Sequence, residues 1–149
     1  MAGAASIPLF VLLWALGLLP IAGLAAAWTG RWSERHSVAM GQVGAVFACA
    51  AGLLAALAGL ALRASGPATL PWQMPYGAFS IGLDPLSAFF LVPLFLLSGF
   101  AAIYAGSYFK PWRGRNPGRF WLFYNVLVAS MALVVLARNG VLFLVAWEV

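Results

Sequence analysis

PLSAFFLVPLFLLSGFAAIYAG, residues Pro85 to Gly106, runs without one charged side chain. At about 1.5 Å of rise per residue it makes a helix of about 33 Å, enough to cross a hydrocarbon core about 30 Å thick. Working outward, three further runs are long and apolar enough to span: roughly Ile7 to Trp28, Val38 to Leu62 and Phe120 to Ala137. A fifth begins at Val141, after the Arg138-Asn139-Gly140 break, and makes only about 13 Å of helix up to Val149. The predicted fold is an all-α, multi-span transmembrane helix bundle with four full spans and a truncated fifth. Residues 1–149 are accordingly expected to be the N-terminal transmembrane part of a longer protein, since a helix stopping halfway across leaves backbone carbonyls unpaired in lipid.

Composition supports the same class. Apolar residues make up 64% of the chain and charged residues 7%, too few to clothe a water-soluble surface. The single cysteine, Cys49, sits among Ala48, Ala50 and Ala51, so it forms no disulfide within the chain and cannot alone hold zinc or an iron–sulfur cluster. It reads as a small buried hydrophobe. A net charge of +5 would suggest nucleic acid in a soluble protein, but here the basic groups lie between the apolar runs and read as determinants of orientation. No Lys or Arg precedes Ile7 and the first apolar run exceeds a signal core, so that run reads as a retained helix.

Arg31 and Arg35 follow the first span, and Lys110, Arg113, Arg115 and Arg119 separate the third from the fourth, whereas the other two connections hold only Arg63 and Arg138. The positive-inside rule makes the two basic connections cytoplasmic and puts the N-terminus outside. Trp28, Trp32, Tyr108, Trp112, Trp121 and Tyr124 cluster at the same ends, as an aromatic belt in the headgroup layer would.

Asp84 precedes Pro85, the pattern of an N-cap acid before a proline at the first helical position, and that role outweighs one in proton entry. Pro20 and Pro93 fall inside the first and third spans, where each removes a backbone donor and is expected to bend the axis. Gly44, Ala48, Gly52 and Ala56 recur at steps of four and would let a neighbouring helix approach closely. Asn125 and Ser130 suit hydrogen bonds between helices better than a hydrated path, and His36 reads as an interfacial residue beside Arg35 rather than a proton relay. The segment from Arg63 to Ile81, with Gly66-Pro67, Pro71 and Pro75-Tyr76-Gly77, is expected to form an ordered outer turn.

Glu148 is the only acid inside an apolar helical run, about 12 Å from the start of the fifth. Insertion of a charged side chain at mid-helix costs about 3 kcal/mol, so a carboxyl at that depth needs a functional reason. Proton uptake and release is the favoured role; the competing readings are a purely structural bridge between helices and a depth that truncation exaggerates. A mobile cation close by would set which of the two it does, and no Lys of this chain is placed to do so.

At these residues the chain resembles the antiporter-like proton-translocating membrane subunits shared by respiratory complex I, the Mrp sodium–proton antiporters and the membrane-bound hydrogenases. The resemblance runs from about Gly82 to Val149: Leu83-Asp84-Pro85-Leu86-Ser87, Tyr124-Asn125, Ala129-Ser130-Met131, and Asn139 leading to Ala146-Trp147-Glu148. Residues 1–80 agree only in helix number and orientation. Within the family, Leu83 to Phe90 and Asn116-Pro117-Gly118-Arg119-Phe120 look most like the hydrogenase-4 component B and formate hydrogenlyase branch, with the NADH-quinone oxidoreductase subunit L branch close behind.

The resemblance implies a protein of about fourteen helices with inverted repeats and broken helices. Further along it would carry a buried lysine, and Glu148 would be its proton-transfer carboxyl. It also implies a multi-pass location in the cell's inner (plasma) membrane, with other membrane and peripheral subunits as partners. No cofactor is expected in this chain, so redox chemistry would belong to those partners. Two other readings remain: a non-transporting anchor for redox subunits, and a stand-alone Mrp-type cation/proton antiporter subunit.

Overall fold

The computed structural model describes residues 2–63, 66–70, 79–108 and 117–149. Among the described residues there are five helices: α1 (Ala2–Thr29), α2 (Glu34–Ala61), α3 (Pro85–Tyr108), α4 (Pro117–Leu136) and α5 (Gly140–Glu148). The first four contain stretches long and apolar enough to cross a membrane. The chain is a multi-pass membrane protein. Lys110, Trp112, Arg113 and Arg115 of the basic connection lie outside the described residues, as do Pro71 and Pro75-Tyr76-Gly77.

Local chemistry sets the helix limits. Ser33 caps α2 through a bond from the His36 backbone N–H at 3.5 Å, so α2 begins four residues before the expected Val38. Pro117 opens α4, where a missing N–H costs nothing, and this moves its start back from the expected Phe120. At the end of α2, Arg63 takes up a left-handed conformation (φ 45°), the usual way for a chain to leave a helix. Pro20 and Pro93 lie inside helices that continue past them.

Between α2 and α3 the expected outer turn contains an antiparallel pair, β1 (Gly66–Leu70) and β2 (Phe79–Leu83), running from Gly66 opposite Leu83 to Leu70 opposite Phe79. This adds to the all-α reading without changing the class. Ile81 and Leu83 are buried, so β2 lies over the end of the bundle where α3 and α5 begin. Ile81 also bridges Ala137 beyond α4.

α2 lies between α1 and α3, α4 packs mainly on α1 and also touches α2 and α3, and α5 rests against α4. Small side chains line the interior: Ala45, Ala48, Ala55 and Ala56 of α2, Ala102 and Ala105 of α3, and Ala132 of α4 are all buried. Large ones such as Phe10, Trp14, Phe47, Phe100 and Phe123 face outward. Lipid tails are as apolar as a leucine, so burying bulk brings little gain, and close backbone approach through small residues drives packing instead. The glycine and alanine ridge does this: a side chain at Gly52 would collide with the Phe95 ring at 2.6 Å, and one at Gly44 with Ala22.

One sequence expectation is corrected here. Trp121 is completely buried and Tyr124 partly so, rather than lying in a headgroup belt. Gly41 on α2 leaves the space that the Trp121 ring fills, and the Tyr124 hydroxyl donates to the Ser98 carbonyl of α3. Trp28 and Trp32 are exposed, packed edge to face at 5.6 Å, with the Arg31 guanidinium 5.0 Å over the Trp28 ring. That arrangement fits a membrane interface.

Candidate proton-transfer site

α5 starts cleanly. The Asn139 side chain accepts from the Val141 N–H at 2.8 Å, and the Phe143 N–H bonds the Asn139 carbonyl at 3.0 Å. This is the Asx cap expected of asparagine before an apolar run. From there α5 buries only Leu142 and Ala146, one turn apart on the face toward α4. Glu148 follows Ala146 by two residues, about 200° further round the helix, so it points away from that face and is exposed. Among the described residues its carboxylate has no hydrogen-bond or ion-pair partner. Trp147 is exposed too and stacks on Phe143, ring centres 6.3 Å apart.

Beside α5 runs an apolar groove of about 390 Å³, lined on one side by Leu13, Leu16 and Pro20 of α1 and on the other by Val145 and Ala146. Ser130 of α4 also borders it, but its hydroxyl is turned back to the Leu127 carbonyl at 2.9 Å. Asn125 is fully buried, and its amide donates to the Trp121 carbonyl at 2.7 Å and across to the Gly41 carbonyl of α2 at 3.3 Å. It joins helices, as the sequence suggested. Its Oδ1 and the Trp121 Nε1 have no partner among the described residues. His36 is exposed, its ring 2.8 Å from the Ser33 hydroxyl.

Among the described residues a polar cluster lies at the opposite end of α5 from Glu148. Asp84 caps α3: its Oδ1 accepts from the Ser87 N–H at 2.6 Å, and its carbonyl accepts from the Ala88 N–H at 2.8 Å. Its other carboxylate oxygen meets the Arg138 guanidinium at 2.7 Å. Arg138 also donates to the Ser87 hydroxyl at 3.3 Å and the Gly82 carbonyl at 3.4 Å, while its backbone N–H donates to the Ser80 carbonyl at 2.8 Å. The Ser87 hydroxyl in turn donates to the Val135 carbonyl at 3.1 Å. The Ser87 N–H, helped by Arg138, holds the Asp84 carboxyl well below its usual range, at about 2, against the opposing effect of partial burial.

The cap was legible in Asp84-Pro85, but the ion pair was not. Its signal is one acid at the start of one helix and one base at the end of another, and sequence spacing alone does not say that the two ends meet.

No protein-family profile matches the chain. Over 141 residues it is 36% identical to NADH-quinone oxidoreductase subunit L of Escherichia coli (strain K12), a match covering 88% of this chain and 22% of that protein. The chain thus spans about a fifth of the relative's length. The similarity supports the antiporter-like subunit family to which the Asp84 to Ser87 and Trp147-Glu148 motifs pointed. It also reaches further than those motifs did. Residues 82–149 are less than half of the chain, so a match over 88% must include much of α1 and α2.

Proposed function

We propose that this chain is part of a proton-translocating membrane subunit of a multisubunit oxidoreductase, of the NADH-quinone or the hydrogenase-4 and formate hydrogenlyase type. Glu148 takes up and passes on a proton; electron transfer belongs to partner subunits. The observation that carries this reading is the 36% identity to subunit L across 88% of the chain. Two features agree with it: four spanning helices precede α5, and Glu148 is carried on a capped, apolar helix. The subunit resides in the cell's inner membrane with its N-terminus outside, since Arg31, Arg35 and Arg119 gather at one end of the bundle.

Within a bilayer the exposed face of α5 meets lipid or protein rather than water. A carboxyl there is costly to ionise unless a cation or hydrated path is at hand, which is what makes it suitable for handing on a proton. Replacing Glu148 by Gln keeps the shape and removes the titrating group. In the complete protein, assembled in its complex and reconstituted in vesicles, Glu148→Gln should lower proton translocation about a hundred-fold or more, the low end for loss of an acid–base group. Unchanged translocation by a normally assembled complex would reject the assignment and favour a passive anchor.

A further inference from the structure

We propose that Arg138 is a positioning residue for α5: by clamping onto Asp84 and β2 it sets the direction in which α5 leaves the bundle, and so where Glu148 stands. The inference deepens the proposed function and rests on it for Glu148's role, but the clamp can be tested by itself.

α5 has few other restraints. It buries only Leu142 and Ala146, both toward α4, and a groove of about 390 Å³ separates it from α1. Arg138 immediately precedes the Asn139 cap. Its contacts reach two elements and the residue between them: Ser80 and Gly82 of β2, Asp84 before α3, and Ser87 in the first turn of α3. The Ser87 hydroxyl then ties α3 to the last turn of α4 at Val135. Space is also tight, since a side chain at Gly82 would meet Arg138 Nε at 2.7 Å. Glycine at this position leaves room for the Arg138 side chain beside the β2 backbone.

An ion pair this exposed adds little stability by itself, but fixed contacts to several groups define geometry. The lever is long. Glu148 lies about 12 Å along α5, so a tilt of about 10° at the clamp moves it by about 2 Å. Proton transfer requires hydrogen-bond reach, and a misplacement of about 1 Å can cost about a hundred-fold.

The test uses the complete protein in its assembled complex. Asp84→Asn keeps an oxygen that can cap α3 but loses the charge, and Arg138→Gln removes the guanidinium. Two quantities are measured per assembled complex: protons moved per electron transferred, and amide hydrogen exchange at residues 138–144. Each single variant should lower the proton ratio at least about five-fold and speed exchange at the turn, the double variant should be no worse than either, and Arg138→Lys, which keeps the charge but not the planar fork, should recover only part of both.

Wild-type ratio and exchange in Asp84→Asn, or losses that follow assembly alone with an unchanged ratio per complex, would overturn the clamp. If the turn loosens as described but Glu148→Gln pumps normally, Arg138 still positions α5 and the proton role of Glu148 falls instead.

Discussion

Asp84 serves two structures with two oxygens: one caps α3 through the Ser87 N–H, the other pairs with Arg138. Both interactions favour the ionised form, so the carboxyl titrates near 2 in the folded protein instead of at its ordinary 3.8. A group whose folded pKa is depressed stabilises the fold fully above its unfolded value and loses that contribution as pH falls through the folded one. Stability in detergent should therefore be insensitive to this group from neutral pH down to about pH 4 and weaken between about pH 4 and pH 2. Asp84→Asn should lack that limb of a thermal-melting profile against pH. Glu148, by contrast, is joined to none of these groups; its role depends on what surrounds α5.

At the scale of elements, α2 holds α1 and α3 close because glycine and alanine occupy its contact positions. The same logic appears where α4 starts. A Cβ on Gly118 would lie 2.5 Å from the Ala26 carbonyl oxygen and 2.8 Å from the Ala27 Cα, and backbone cannot yield as a flexible side chain does. Gly118→Ala should destabilise the protein by about 1–3 kcal/mol, the usual cost of overpacking. Gly17, with nothing within 4 Å of a Cβ, is the matched control: Gly17→Ala should be neutral or raise the melting temperature, since alanine is the better helix former. Equal melting of the two variants in detergent would contradict the packing described. Helix existence was readable from the apolar runs, while starts were displaced by up to five residues where Ser33, Pro117 and the residues before Ile7 extended them.

For the molecule as a whole, the exposed aromatic and basic groups Trp28, Arg31, Trp32, Arg35 and Arg119 gather at one end of the bundle, and the β hairpin with the Asp84–Arg138 pair sits at the other. With the basic end cytoplasmic, a cysteine placed at exposed Leu62 should react with a membrane-impermeant maleimide in intact cells. One at exposed Trp32 should react only after permeabilisation. The reverse pattern would invert the topology and carry Glu148 in from the other side.

Sequence by itself determined the number of spans, their order, the cap at Asp84, the break before α5 and the presence of one acid within an apolar helix. Each follows from chain-local physics: length against bilayer thickness, the cost of a charge in hydrocarbon, and the missing donor of proline. Only the tertiary structure decided that Trp121 and Tyr124 turn inward, that Asn125 reaches Gly41, and that Arg138 closes on Asp84 and β2. Those contacts join residues far apart in the chain: Gly41 on α2 leaves room for the Trp121 ring and brings its carbonyl within reach of Asn125, while Gly82 on β2 leaves room for Arg138.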